Sequence, residues 1–290
     1  MLRKPYVAGQ FYSSGSEALG REIESCFTSR LGPGRSLSQA RPGEAFSFKG
    51  GVAPHAGYVY SGFEAAHLYL KMYESGLPET VIILGPCHRA FSETAIGVFS
   101  GEGFETPFGA CENNIKLASA IAARPPFKFD DRVHQFEHSL EVQVPFLQYI
   151  YSAAKKPLKI VALCVLDQGF ATAKAASASL AEILKSRGGD FAIIASSDFS
   201  HYLPPAEAAK FDKMAIDEIL RLDSAGMYKA IEKYDISMCG YGPIAICFET
   251  LKSIYDIKPR LLKYGNSGDV MAMAEVVGYA AISFETGAEN

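Results

Sequence analysis

Five of the six histidines in this chain, His55, His88, His134, His138 and His201, fall in polar, turn-like or helix-opening stretches. Imidazole is the side chain whose ordinary titration lies near neutral pH, and as a neutral ring it is the commonest metal ligand. Three of the five share a further property. His55 follows the glycine-bearing run 46–53, His88 follows Thr80-Val-Ile-Ile-Leu84, and His201 follows Phe191-Ala-Ile-Ile-Ala195. Each run has the length and composition of a strand. If these runs lie parallel in one sheet, their carboxyl ends share an edge and the three rings converge on one crevice, where α/β folds place ligands. Asp198 adds a carboxylate three residues before His201 that can hold its imidazole in one tautomer. Each residue alone also has a plain structural reading, with Asp198 as a cap of the next helix and His201 as a surface residue of a turn.

Cys239 extends the set. It sits in the loop Asp235-Ile-Ser-Met-Cys239-Gly-Tyr-Gly-Pro243 just before a helix, where amides and the helix dipole favour a thiolate. It is a candidate metal ligand or nucleophile; the alternative is a buried small residue. Two or three imidazoles with a thiolate suit iron, copper or zinc rather than magnesium or calcium. Glu137, His138 and Glu141 form a second polar group, which reads as a helix start with an exposed acidic face. There is no P-loop, dinucleotide fingerprint, G-x-S-x-G elbow or H-E-x-x-H, so nucleotide binding and the usual hydrolase signatures find no support.

The elements that must position these residues follow from periodicity and punctuation. Residues 2–12 read as an extended segment docked on the body, 16–31 as a helix capped by Ser16, and 32–43 as a loop. After the strand at 46–53 a helix runs to about residue 73, followed by the buried strand at 80–84. Glycine-rich turns across 95–111 predict a hairpin or an excursion off the main sheet. Helices are expected at 113–123 and from Val133 toward Tyr151, the second bent by Pro145 or truly starting there. A strand at 158–166 and a helix at 171–185 follow; Gly188, Gly189 and Asp190 close that helix before the central strand at 191–195. Helices at 206–222, at 225–234 and from Pro243 or Ile244 precede closing strands at 261–264 and 275–284.

Composition sets the outer bounds. At 290 residues the chain can bury a full core, and a net charge of -4 with ordinary charge density offers no electrostatic footprint for nucleic acid or an anionic membrane. No apolar run approaches the ~20 residues of a membrane span, so a soluble cytoplasmic protein is expected. The six cysteines are scattered without a C-x-x-C pair, which argues against a disulfide framework.

Several longer motifs resemble the Memo family, named for the mediator of ErbB2-driven cell motility. They are Val7-Ala-Gly-Gln-Phe-Tyr12, Pro54-His55-Ala-Gly-Tyr-Val-Tyr-Ser-Gly62, Gly85-Pro-Cys-His88 and Glu137-His138-Ser-Leu-Glu-Val-Gln143 with Pro145-Phe-Leu147. Ser196-Ser-Asp-Phe-Ser-His201, Cys239-Gly240 and Val277-Gly278-Tyr279 complete a likeness that spans essentially the whole chain. The resemblance implies a fold similar to the class III extradiol ring-cleaving dioxygenases, whose non-haem iron is held by two histidines and a carboxylate. On that likeness His55 and His88 match the histidine ligands, Cys239 takes the place of the carboxylate, His201 matches the catalytic histidine and Asp198 lies beside them. The cofactor so implied is iron(II), with copper or zinc as alternatives. Bacterial and archaeal members of the family accompany radical-SAM and AMMECR-type proteins, and eukaryotic members resemble signalling proteins that bind phosphotyrosine peptides in the same crevice.

The expectation is one three-layer α/β/α domain over residues 1–290 with a mostly parallel central sheet. It would carry a metal on His55, His88 and Cys239, with His201 as acid/base or as a fourth ligand, oriented by Asp198, and act as a non-haem oxidoreductase on a small aromatic diol. A second reading is a non-enzymatic module that grips a peptide or partner protein in the crevice. A third is a nucleophilic hydrolase built on Cys239, His201 and Asp198.

Overall fold

Alternation along the central strands decides the architecture. In the strand Thr80–Pro86, Val81 and Ile83 enter one hydrophobic core while Ile82 and Leu84 enter another. The strand Phe191–Ser196 repeats this, with Ala192 and Ile194 on the first side and Ile193 and Ala195 on the second. Successive strand residues point to opposite faces, so both faces of this sheet must be covered. The computed structural model describes residues 1–44, 46–89, 91–188 and 190–287.

In chain order the elements are β1 (Leu2–Arg3), α1 (Ser16–Thr28), β2 (Phe48–Ala53), α2 (Tyr58–Glu74), β3 (Thr80–Pro86), β4 (Ile96–Val98), β5 (Gly103–Thr106) and β6 (Gly109–Asn113). Then come α3 (Ile115–Ala122), β7 (Phe127–Phe129), α4 (Gln143–Ala153), β8 (Lys159–Val165), α5 (Phe170–Arg187), β9 (Phe191–Ser196) and β10 (His201–Leu203). The chain ends with α6 (Pro205–Leu220), α7 (Ser224–Tyr234), α8 (Tyr241–Ile254), β11 (Ile257–Asn266) and β12 (Val276–Thr286). The main sheet runs β1-β5-β6-β8-β3-β9-β2-β12-β10, with β11 on the far side of β12 and β4 with β7 beside β8. From β6 through β8, β3 and β9 to β2 every neighbour is parallel. Helices α1, α2 and α4 fill one face through Ile23, Phe27, Leu68, Tyr69 and Phe146. Helices α3, α5, α6 and α8 fill the other through Ile121, Leu180, Ile219, Phe248 and Leu251. This is the expected α/β/α layering with a mostly parallel central sheet.

Most element boundaries fall within a few residues of the sequence reading, and the differences have local causes. The cap of α1 is Gly15 rather than Ser16. The hairpin in 95–111 is β5 paired with β6, but it extends the edge of the main sheet through β8 instead of leaving it. Gly188 ends α5 at φ +61°, a left-handed conformation open to glycine; Gly189, read as its companion, lies outside the described residues. The helix expected from Val133 forms only at Gln143, with Pro145 in its first turn. Before it stands a single 3-10 turn, Asp131–His134. Here Glu137 uses its carboxylate to take the Ser139 amide at 2.8 Å, a side-chain bond that competes with the helical ladder.

One buried carboxyl in this frame has no counterpart in the sequence reading. Glu64 of α2 is buried against β11 and β12, and burial pushes its pKa from 4.5 to about 8, against a backbone hydrogen bond and then the charge of Lys263. The folded chain therefore keeps a proton that the unfolded chain loses above its ordinary pKa, so stability falls as pH rises from about 4.5 to about 8. Replacing Glu64 by Gln should flatten this part of the stability-pH curve by roughly 2–5 kcal/mol. Denaturant melts at pH 5 and pH 9 measure it; equal pH dependence in both proteins would contradict the assignment.

Candidate metal centre

Parallel pairing delivers the site. Ala53 at the end of β2 lies in register with Ser196 at the end of β9, and the Ser197 amide donates to the Ala53 carbonyl at 2.9 Å. The chain leaving β2 thus runs alongside the chain leaving β9, and the His55 amide donates to Asp198 Oδ1 at 2.7 Å. β3 pairs with the other edge of β9 and carries His88 two residues past its end. The His55 and His88 rings meet edge to face with centroids 5.2 Å apart.

Cys239 reaches the same point from the loop before α8. Its amide donates to the Asp198 carbonyl at 3.3 Å, its Sγ accepts the Asp198 amide at 3.1 Å, and its Sγ lies 3.1 Å from His55 Nε2. Gln168 holds the loop from behind, donating to the Cys239 carbonyl at 2.9 Å and accepting the Gly242 amide at 2.9 Å. The next residue must be glycine: a Cβ on Gly240 would stand 2.3 Å from the Ser196 carbonyl oxygen and 2.6 Å from Ser197 Cβ. One donor atom from each of His55, His88 and Cys239 falls within 4.8 Å of the others. Ligand bonds of 2.0–2.3 Å to nitrogen and sulfur let a single ion touch all three.

The electrostatics differ from one ring to the next. Burial, then the nearby charge of His88, drives His55 down to about 3, so it stays neutral. His88 is penalised by burial, but Glu137 outweighs that and raises it. Its Nδ1 lies 3.0 Å from Glu137 Oε1 and its amide donates to Glu137 Oε2 at 2.5 Å. Burial works against ionisation of Glu137 too, yet the hydrogen bond and charge of His88 hold it at about 2. An ionised carboxylate only accepts, so His88 Nδ1 carries a proton, and once the ring sheds its second proton Nε2 offers its lone pair to the crevice. Burial, followed by the charge on Asp198, pushes the Cys239 thiol well above its usual range. A helix-terminus thiolate was the expectation; the dry surroundings override the dipole.

His201 does not join that group of three donor atoms. It opens β10, a short strand antiparallel to β12, and its Nδ1 donates to the Ser237 carbonyl at 2.9 Å while its amide donates to Ser237 Oγ at 2.8 Å. That leaves Nε2 as an acceptor. Asp198, expected to orient His201, instead takes the His55 amide on Oδ1 and places Oδ2 4.0 Å from His55 Nε2. It caps no helix, since α6 begins only at Pro205. Burial raises Asp198 against hydrogen bonds from the His55 backbone and the charge of His201. The loop between them is fixed by Asp212 of α6, a buried carboxyl that accepts the Ser200 amide at 2.9 Å and the Tyr264 hydroxyl at 2.7 Å.

The exposed acidic face expected at Glu137 and Glu141 does not exist. Both carboxylates are fully buried. Glu141 gathers the amides of Tyr6 and Val7, the Tyr12 hydroxyl at 2.6 Å and the Arg3 guanidinium, so the extended N-terminal segment is tied beside the crevice. His138, grouped with that face by its sequence position, turns to the crevice as well. Its ring packs 4.7 Å from His88 and 5.4 Å from His55, with Nδ1 3.3 Å from Glu137 Oε1. Burial and then His55 lower it to about 4, so a second neutral imidazole, besides His55, stands against both candidate ligand rings. The sequence signal was present, since four of the six histidines lie in these two strand ends and in the Glu137-His138 turn or at His201.

Fold and site together define an α/β protein with a histidine- and thiol-lined crevice at the carboxyl edge of its parallel strands. Residues 3–283 match the family described as Memo-like protein, and the chain belongs to the Memo family. A MEMO1 family protein of Methanopyrus kandleri is 41% identical over 289 residues, covering 99% of this chain and 100% of the relative. Those of Pyrobaculum aerophilum and Methanothermobacter thermautotrophicus are 41% and 39% identical, each over 98% of this chain and at least 99% of their own. An uncharacterized Escherichia coli K12 protein of known crystal structure aligns with a TM-score of 0.49 at 15% identity, over 78% of this chain and 92% of its own. Among the described residues no helix is long and apolar enough to cross a membrane.

If Glu137 is what raises His88, substituting Gln removes the ionised acceptor and lets burial dominate. Histidine-resolved NMR titration should then show His88 titrating at lower pH than in the native protein. An unchanged His88 titration would contradict this assignment.

Proposed function

We propose that the crevice binds one transition-metal ion through His55 Nε2, His88 Nε2 and Cys239 Sγ, and that the protein works as a non-haem, dioxygenase-like oxidoreductase. The observation that supports this reading is the meeting of three such donor atoms, from three separate strand ends and loops, within 4.8 Å. A mixed imidazole and thiol set suits iron, copper or zinc, and iron(II) is the ion proposed here. Bound there, the ion would supply Lewis acidity and one-electron chemistry toward a substrate. The protein's own residues supply the rest. His201, held at Nδ1 by Ser237, presents Nε2 to take a hydroxyl proton from a bound diol. Asp198, whose burial favours its protonated form, stands beside His55 as a second group able to exchange a proton. Neutral His138 forms the wall between the two histidine ligands.

A peptide or partner protein at the same crevice is the second reading. It draws on exposed aromatic side chains next in sequence to site residues: Phe136 before Glu137 and Tyr202 after His201. The hydrolase reading has less to stand on. Cys239 Sγ lies against His55 rather than His201, and its thiol is held protonated.

Metal analysis of protein purified without chelators separates the first two readings. Near-stoichiometric iron, or copper or zinc in its place, should be found in the native protein and fall at least about tenfold in Cys239→Ala and His55→Ala. A native protein free of metal that still binds a partner would favour the second reading and sink the first. Metal must also displace the thiol proton, which burial holds tightly, so affinity should rise with pH by up to about tenfold per unit. Titrations with zinc at pH 6.5 and pH 8 test this, and equal affinity at both would exclude Cys239 as a thiolate ligand.

A further inference from the structure

At Nδ1, His55 meets a hydroxyl where His88 meets the carboxylate of Glu137. His55 Nδ1 lies 2.9 Å from the hydroxyl of Ser196, at the end of β9, and that hydroxyl is fully buried. Ser196 Oγ has two further neighbours, the amide nitrogen of Gln143 at 2.8 Å and the Ser139 carbonyl oxygen at 2.7 Å. The orientation of the Gln143 amide is fixed by its other contacts. Its Nε2 also faces the Pro54 carbonyl at 2.9 Å, which only accepts, and its Oε1 takes the Tyr69 hydroxyl at 2.6 Å. Turning the amide over would set oxygen against oxygen at Pro54.

The proton count then closes. Gln143 Nε2 can only donate to Ser196, and the Ser139 carbonyl can only accept from it. The single hydroxyl proton of Ser196 must therefore go to Ser139, and the hydrogen bond with His55 has to be donated by Nδ1. We propose that Ser196, locked by Gln143 and the Ser139 carbonyl, is a positioning residue that holds His55 in its Nδ1–H tautomer and aims the Nε2 lone pair at the metal position. The inference rests on the metal reading for its purpose, but not for its geometry. Without the serine oxygen, Nδ1–H loses its acceptor in a dry pocket, and the tautomer protonated at Nε2, facing Cys239 Sγ at 3.1 Å, becomes competitive. That form presents no lone pair to a metal. Ser196 thus does with a neutral hydroxyl what Glu137 does at His88 with a charge.

Two readouts on the metal-free protein and on its zinc complex decide this. Long-range proton–nitrogen NMR of histidine-labelled apoprotein, with His55 assigned by its loss in His55→Gln, reports which ring nitrogen carries the proton. The native protein should show His55 protonated at Nδ1. Ser196→Ala should move it toward the Nε2–H form and weaken zinc binding by about 10- to 100-fold, the usual cost of losing a group that orients a ligand. Gln143→Met, which keeps the serine but frees its oxygen, should give a tautomer mixture and a smaller loss, and it serves if Ser196→Ala does not fold. Native His55 protonated at Nε2, or variants with unchanged tautomer and zinc affinity within about twofold of native, would overturn the proposal. A native protein with the Nδ1–H ring that takes up no zinc would uphold the tautomer assignment and overturn the metal reading instead.

Discussion

The crevice depends on the parallel register between β2 and β9. With Ala53 opposite Ser196, the two chains leave the sheet side by side, and the backbone of His55 can bond the side chain of Asp198. A slip of one residue would turn every side chain to the other face and part these groups. The register is itself enforced by both cores, since Ile193 and Ala195 must enter one and Ala192 and Ile194 the other. The same apolar pattern that makes the sheet therefore aims the polar residues that follow it.

Beyond that edge, order comes from buried carboxylates. Glu137, Glu141 and Asp212 each lie out of water, and each takes several donors, including at least one from another part of the chain. A buried carboxylate is costly unless its oxygens are filled, and a single missing donor leaves it stranded. These residues hold the loops that carry His88, the N-terminal segment and the stretch from Asp198 to His201. The thiol of Cys239 is set by a different device, the close approach of a glycine-bearing loop to the end of β9.

This division also marks what the sequence could tell. Apolar runs of strand length announced β3, β8 and β9, and the rule that ligands gather at the carboxyl edge of parallel strands singled out His55, His88 and His201. The glycine- and proline-bearing loop before a helix marked Cys239 as a candidate ligand or nucleophile, and the Memo resemblance set it beside His55 and His88 in the place of a carboxylate. What stayed hidden were roles fixed by partners distant in sequence. Glu141 looks like a surface acid until Arg3, 138 residues away, is seen to meet it. Glu137 and His138 were misread because their turn resembles a helix start, and only the fold shows the carboxylate turned inward to His88. His201 was placed at a strand end by pattern alone; a short strand β10 and Ser237 decide where its ring points.

The central claim is that His55, His88 and Cys239 face one point and share one ion. X-ray absorption at the edge of the bound metal, with anomalous scattering from a crystal of the same preparation, measures it most directly. The account predicts one ion in the crevice with two nitrogen neighbours near 2.0–2.1 Å and one sulfur near 2.3 Å, figures typical of such ligands. An ion without sulfur in its coordination shell, or one located away from His55 and His88, would contradict it.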